Sequence, residues 1–199
     1  DTVVLPNEGG MNIMSVSLLR LSDGSIALFY LRKNSTSDCI PMMRISTDEA
    51  KTWSDPQPVI SDRPGYYVLN NDRVVQLESG RLLAPVALHK TPDSDWRNGA
   101  DIYVYHSDDL GKSWQCSRQV PNPEGVMLQE PGVVELTDNR LMMLMRTDVG
   151  VQYQAYSEDR GESWSEAAPT RIVSPLSPAS VERIPGTDDL LLVWNNNLS

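Results

Sequence analysis

The sequence predicts an all-β chain, a β-propeller of four-stranded antiparallel blades, and three observations predict it. A polar loop occurs three times, as STDEAKTW (46–53), SDDLGKSW (107–114) and SEDRGESW (157–164), with Ser first, Asp third, Ser or Thr seventh and Trp eighth. Upstream of each loop lies a hairpin: apolar segments end at Leu21, Leu77, Leu136 and Ile184, and new ones begin at Ile26, Leu82, Leu141 and Leu190 after the turns SDGS, ESGR, TDNR and PGTDD. The segments between turns are short and aliphatic or β-branched, with Gly, Asn or Asp at the turns, which excludes a helical solenoid.

Taken in order, strands are expected near Met14 to Leu21, Ile26 to Leu31 and Ile40 to Ile45, followed by the polar loop and a weaker strand near Pro58 to Ile60. The unit repeats, placing blades near 12–62, 68–120 and 129–173 and half a blade at 177–196, within one domain spanning 1–199. The stretches Leu82 to Leu88 and Leu141 to Met145 are almost continuously apolar, the pattern of inner strands covered on both faces by neighbouring blades. In the polar loops, Asp48, Asp109 and Asp159 can accept hydrogen bonds from following backbone N–H groups, Gly111 and Gly161 supply a positive φ, and Trp anchors the loop; Ala50 stands where the others have Gly. About three and a half blades are present, whereas closure takes about 4 to 8. The expectation is therefore that further blades, from the same chain or another, complete the ring.

Composition narrows the function. A net charge of −10 with no run among the 17 Lys and Arg argues against nucleic-acid binding. No apolar run approaches the roughly 18 residues of a membrane-spanning helix, so no membrane insertion is expected. Cys39 and Cys116 have no metal-ligand spacing, are too few for a disulfide framework and read as free; with His only at 89 and 106, no metal or cofactor is implied.

Strand parity then sorts the polar residues. Strand direction alternates within a blade, so the loops entering first strands and those joining second to third strands share one end of the propeller, and the Asp-containing loops occupy the other. The entry end carries Arg32, Lys33, Asn34 and Asp38; Tyr66, Tyr67, Asn70 and Asn71 leading into the second unit; His89 and Trp96; and Glu130, Arg146 and Asp148. Clustered loops at one end of a rigid scaffold are the usual place for a site. Glu130 reads as a solvated acid, a structural partner for an Arg, or a catalytic acid. Arg146 ends an apolar strand, where a guanidinium requires a partner or an anionic ligand. Asp38 is by default a solvated turn residue, His89 a neutral strand cap or a base, and Trp96 a local packing anchor or a sugar-stacking wall.

With the three loops and the stretch EPGVVELTDNRLMMLMR in view, the whole chain resembles the sialidase (neuraminidase) superfamily, the loops matching its Asp-box, or BNR, repeat. The resemblance implies a six-bladed propeller when complete, and a glycoside hydrolase that releases a terminal sialic acid from glycans with retention, through a Tyr nucleophile. On that match Glu130 activates the Tyr, Arg146 binds the substrate carboxylate, Asp38 is the acid/base, and Arg32 is an accessory anion contact; His89 and Trp96 join the substrate-binding set. The Tyr and the remaining carboxylate-binding Arg would lie beyond Ser199, so the chain alone is expected to be inactive. The position near Met14, where the family carries its first such Arg, holds none. A glycosidase of the same fold acting on another sugar, or a non-catalytic carbohydrate- or protein-binding propeller, remains the alternative. The implied partner is a sialoglycoconjugate, and the implied location is extracellular or periplasmic.

Overall fold

The computed structural model describes residues 4–197, and all regular structure among them is β. The first blade comprises β1 (Asn12–Arg20), β2 (Ile26–Lys33), β3 (Cys39–Ser46) and the two-residue β4 (Gln57–Pro58), paired antiparallel in sequence order. The second contains β5 (Tyr66–Val68) and β6 (Val75–Gln76), both paired to β7 (Leu82–Lys90), then β8 (Asp101–Ser107) and β9 (Gln115–Cys116). The third is β10 (Gln129–Glu135), β11 (Leu141–Arg146), β12 (Val151–Ser157) and β13 (Ala168–Val173), and β14 (Ser180–Arg183) with β15 (Leu190–Val193) forms a two-stranded sheet after it. This is the antiparallel, partial propeller that the repeats predict.

The continuous apolar character of β7 follows from burial on both faces. Leu82, Ala84, Val86 and Leu88 pack into a core shared with Phe29, Leu31 and Met43 of the first blade, while Leu83 and Ala87 join one containing Val133, Met143 and Met145 of the third. Strand side chains alternate faces, so both parities must be apolar when both faces are covered. Each fully buried aliphatic side chain contributes roughly 1.5–3 kcal/mol. A smaller core of Val134, Leu144, Ala179 and Val181 joins the third blade to the last sheet.

The Asp-containing loops are inter-blade wedges. Asp48 accepts from Thr52 N at 2.9 Å and Thr52 Oγ1 at 2.6 Å, and Asp109 accepts from Ser113 N and Oγ at 2.9 and 2.6 Å. These hydrogen bonds, the hydroxyl's first, hold both carboxyls down at about 2. The fifth loop residue is left-handed in all three, with φ of 62° at Ala50, 86° at Gly111 and 91° at Gly161. A Cβ on Gly111 would stand 2.5 Å from Met43 Cε of the preceding blade, and one on Gly161 3.1 Å from Leu83 Cδ2. Glycine thus serves both the turn and the seam. Arg81, 5% exposed, ties two loops together by donating to both Asp108 oxygens at 2.7 Å and to Arg160 O and Glu162 Oε1 at 3.2 Å.

Two features differ from the sequence expectation and bear on the site. Tyr66 and Tyr67, expected in the loop leading into the second blade, belong to its inner strand, which the segment 69–74 interrupts before β6. Six residues there face three of β7, and Asp72 (φ 55°) lies where the chain leaves the ladder in this extended bulge. The first two blades are also not separate sheets: a parallel bridge between Cys39 and Tyr66, with Cys39 N donating to Gly65 O at 3.1 Å, joins them.

Candidate functional site

The inner strands of blades one and three carry a bulge at the same place. Counting back from the aligned turn residues Leu21 and Leu136, Ser15 (φ 58°) and Glu130 (φ 48°) occupy equivalent positions, where the register with β2 and with β11 shifts. A non-glycine residue in the left-handed region costs about 1–3 kcal/mol, and Glu130 also precedes Pro131. The bulge turns the Glu130 carboxylate onto the end of β11, where Arg146 Nη1 donates to Oε2 at 2.9 Å. Both side chains are about one-fifth exposed, and Arg146 Nε is buried without a partner.

Arg73 lies near this pair, against β10. It is 6% exposed, donates from Nη2 to Ala179 O at 2.8 Å, and leaves Nε buried without a partner. Burial lowers its pKa, opposed by the charges of Glu130, Glu182 and Asp72. A Cβ on Gly132 would lie 2.9 Å from Arg73 Nη1, so the absence of a side chain there admits the guanidinium beside β10. Arg73 escaped the sequence reading, although its context, an arginine at the mouth of an apolar strand in NNDRVV, is the signal that singled out Arg146.

His89 and Trp96 stand beside the pair. His89 Nδ1 lies 3.0 Å from Arg97 O; a carbonyl only accepts, so Nδ1 carries the proton and Nε2 is the open acceptor. Burial lowers the His89 pKa, opposed by the hydrogen bond to Arg97 O and by the charge of Glu130 and aided by the charges of Arg97 and Arg146, so the ring is neutral near neutrality. Its hydrogen bond and burial suit the strand-capping reading. Trp96 stacks on His89 with centroids 4.9 Å apart at 7°, meets Tyr66 edge-on at 5.1 Å, and remains 49% exposed. The loop carrying Trp96 is fastened by Arg97 to Asp101 at 2.7 Å and by Gln129 Nε2 donating to Asn98 O.

Asp38 and Arg32 belong to the first blade, and among the described residues no hydrogen bond or ion pair joins either to Glu130 or Arg146. Asp38 accepts from Asn34 Nδ2 at 2.9 Å, and its carbonyl closes the turn by accepting from Asn34 N and Ser35 N. The Arg32 side chain makes no hydrogen bond among the described residues, and its Nε is buried without a partner. The structure thus gathers Glu130, Arg146, His89 and Trp96, adds Arg73, and keeps Asp38 and Arg32 on the first blade. Cys39 and Cys116 are both free.

Such an arrangement can bind an anion through the partly exposed guanidinium of Arg146, stack a ring on an exposed indole face and supply a carboxylate as base. Comparison with known proteins identifies the family. The model of the BNR repeat-like domain family matches residues 6–199. An anhydrosialidase of Macrobdella decora is 30% identical over 166 residues, covering 78% of this chain and 20% of its own length. Sialidase-4 of Mus musculus is 26% identical over 221 residues, covering 92% and 44%. Among solved structures, an intramolecular trans-sialidase from Ruminococcus gnavus superposes with TM-score 0.59 at 28% identity, over 78% of this chain and 33% of that one. A protein of unknown function from Dyadobacter fermentans reaches 0.77 at 22% identity, over 96% and 58%, a likeness of fold alone. The chain therefore spans less than half the length of these curated relatives. Matched over almost its whole length by that family and sharing its propeller, the chain belongs to the BNR repeat-like domain family and the sialidase superfamily.

Proposed function

We propose that the protein containing this chain is a sialidase-type glycoside hydrolase that releases a terminal sialic acid from glycans with retention. The observation that carries the reading is the Glu130–Arg146 pair, set by a strained bulge at the entry end of an inner strand, with Arg146 retaining an unsatisfied buried N–H. In this reading Arg146 orients the sugar carboxylate, Glu130 polarises a Tyr nucleophile contributed from outside residues 1–199, and Asp38 protonates the leaving oxygen. Arg32 adds an anion contact, and the exposed face of Trp96 beside His89 stacks on a sugar ring. A sialoglycoconjugate outside the cytoplasm is the corresponding substrate.

The test is hydrolysis of an aryl sialoside by the full-length protein and its Glu130→Gln variant. Release by the parent, with kcat reduced at least about 100-fold in the variant, is the expected result. No release of sialic acid, or an unimpaired variant, overturns it. One observation favours a second reading, a glycosidase of this fold acting on another sugar: β1 carries no Arg near Met14, the place of the family's first carboxylate-binding Arg. Release of a neutral or uronic sugar from a panel of aryl glycosides, with none from the sialoside, would select it.

A further inference from the structure

The strand register brings two lysines together across the seam between the first and second blades. Lys33 pairs with Cys39, Cys39 with Tyr66 through the parallel bridge, and Tyr66 with Lys90. The four residues form one row across β2, β3, β5 and β7. The row opens into a cleft of about 460 Å³ lined by Lys33, Thr36, Tyr66, Lys90 and Trp96. No carboxylate lines it, and among the described residues neither Lys33 nor Lys90 forms an ion pair, although the chain carries a net charge of −10. The nearby acid Asp38 is engaged by Asn34 Nδ2.

The aromatic wall of the cleft is fixed in advance. Trp96 has His89 against one face and Tyr66 at right angles to it, and half of its surface remains open to solvent. Lys33 Nζ stands 5.4 Å from the Tyr66 ring centroid, which positions one ammonium by cation–π attraction. A ring held on one side and open on the other incurs little ordering cost when a planar or pyranose face stacks on it. Two ammoniums without carboxylate partners favour an anion at the same place, through an interaction sensitive to salt.

We infer that this blade-one/blade-two cleft binds a second acidic sugar, the unit on the leaving-group side of the substrate, with its ring on Trp96 and its anionic group between Lys33 and Lys90. The inference rests on the hydrolase reading above for its direction, since Asp38, assigned there to the leaving oxygen, lies on the loop that also supplies Thr36 to the cleft. The protein then prefers glycans ending in two consecutive acidic sugars over those with one acidic sugar on a neutral chain.

The experiment uses the full-length protein, as wild type and as the Lys33→Ala/Lys90→Ala double variant, with two probes: a sialic acid dimer and sialyllactose. The wild type is expected to favour the dimer in kcat/KM by about tenfold, and the double variant to lose that preference, as does the wild type when salt rises from about 0.05 to about 0.5 M. Equal kcat/KM on the two probes, or a preference that survives the double substitution, overturns the inference. An aryl sialoside and binding calorimetry separate its failure from that of the hydrolase reading. Turnover of the aryl sialoside without dimer preference removes the cleft alone. Lysine-dependent binding of the dimer without turnover of any sialoside keeps the cleft and removes the hydrolase, and the absence of both removes both.

Discussion

Arg146 Nη1 donates to Glu130 Oε2 across 2.9 Å, so the last residue of β11 restrains the acid at the second position of β10. The acid sits at φ 48° before a proline, and the guanidinium is one of the contacts holding that conformation. Truncation of Glu130 to Ala removes a charge-assisted hydrogen bond and leaves Arg146 half-enclosed without its carboxylate. The expected loss is about 1–2 kcal/mol in chemical unfolding, against less than about 1 kcal/mol for Glu130→Gln, whose carbonyl still accepts. Equal losses in the two variants would remove the pair from the account of stability.

Gly132 is the second test of the same region. Its φ is not left-handed, so alanine there meets no backbone penalty, only the Arg73 guanidinium 2.9 Å from the new Cβ. Arg73 is buried and tethered to Ala179 O, which leaves it little room to retreat. Gly132→Ala is expected to destabilise by about 1–3 kcal/mol, and combining it with Arg73→Ala to give less than the sum of the single losses. Additivity in that double-mutant cycle would show that the two positions do not compete for space.

The two histidines set a pH dependence. Burial lowers the pKa of both His89 and His106 below the ordinary imidazole value, so the unfolded chain binds protons more readily than the folded one. Stability is accordingly full above about pH 6.5 and declines as pH falls below it toward the depressed folded values. Thermal unfolding between pH 8 and pH 5 should record a falling midpoint, less steep in His89→Gln. A further decline belongs to the Asp-containing loops: the carboxyls of Asp48 and Asp109 are held at about 2, so their contribution is present above about pH 4 and is lost from there toward pH 2. A midpoint independent of pH from 8 to 5 would contradict the histidine assignment.

Thiol chemistry gives a fourth check. Cys39 is fully buried in the seam, and desolvation pushes its thiol up to about 12; the Cys116 thiol is also raised, chiefly by burial. Since the thiolate is the reactive form, alkylation at about pH 8 should be slow at both residues in the folded protein and fast at both after denaturation. Rapid native modification of Cys39, followed by mass spectrometry, would place it outside the core.

Much of the fold was legible in sequence because its signals are local. The repeated Asp with a following Ser or Thr makes its hydrogen bonds within the loop, and the hairpin turns fix which segments pair. The doubly apolar β7 announced two covered faces. Of the candidate site, Glu130 and Arg146 were visible as charges at the ends of apolar strands. Arg73 carries the same signal in NNDRVV, but what it meets was not legible, because the bulge at 69–74 breaks the inner strand and the side chain lies against Gly132 of β10.

The sequence by itself determined the blade, its order of strands and the end of the propeller to which each loop belongs, because strand pairing within a blade depends on neighbouring segments. Only the tertiary structure decided what meets across the seams, Arg73 against Gly132 and Lys33 in line with Lys90 through Cys39 and Tyr66, and which side chains touch within a blade, Glu130 with Arg146 and Trp96 upon His89. Those contacts depend on the register between blades and on bulges that shift the register within a blade by one to three residues. Neither leaves a periodic trace in the chain, because a displacement of one residue alters which side chains face each other without altering which segments are apolar.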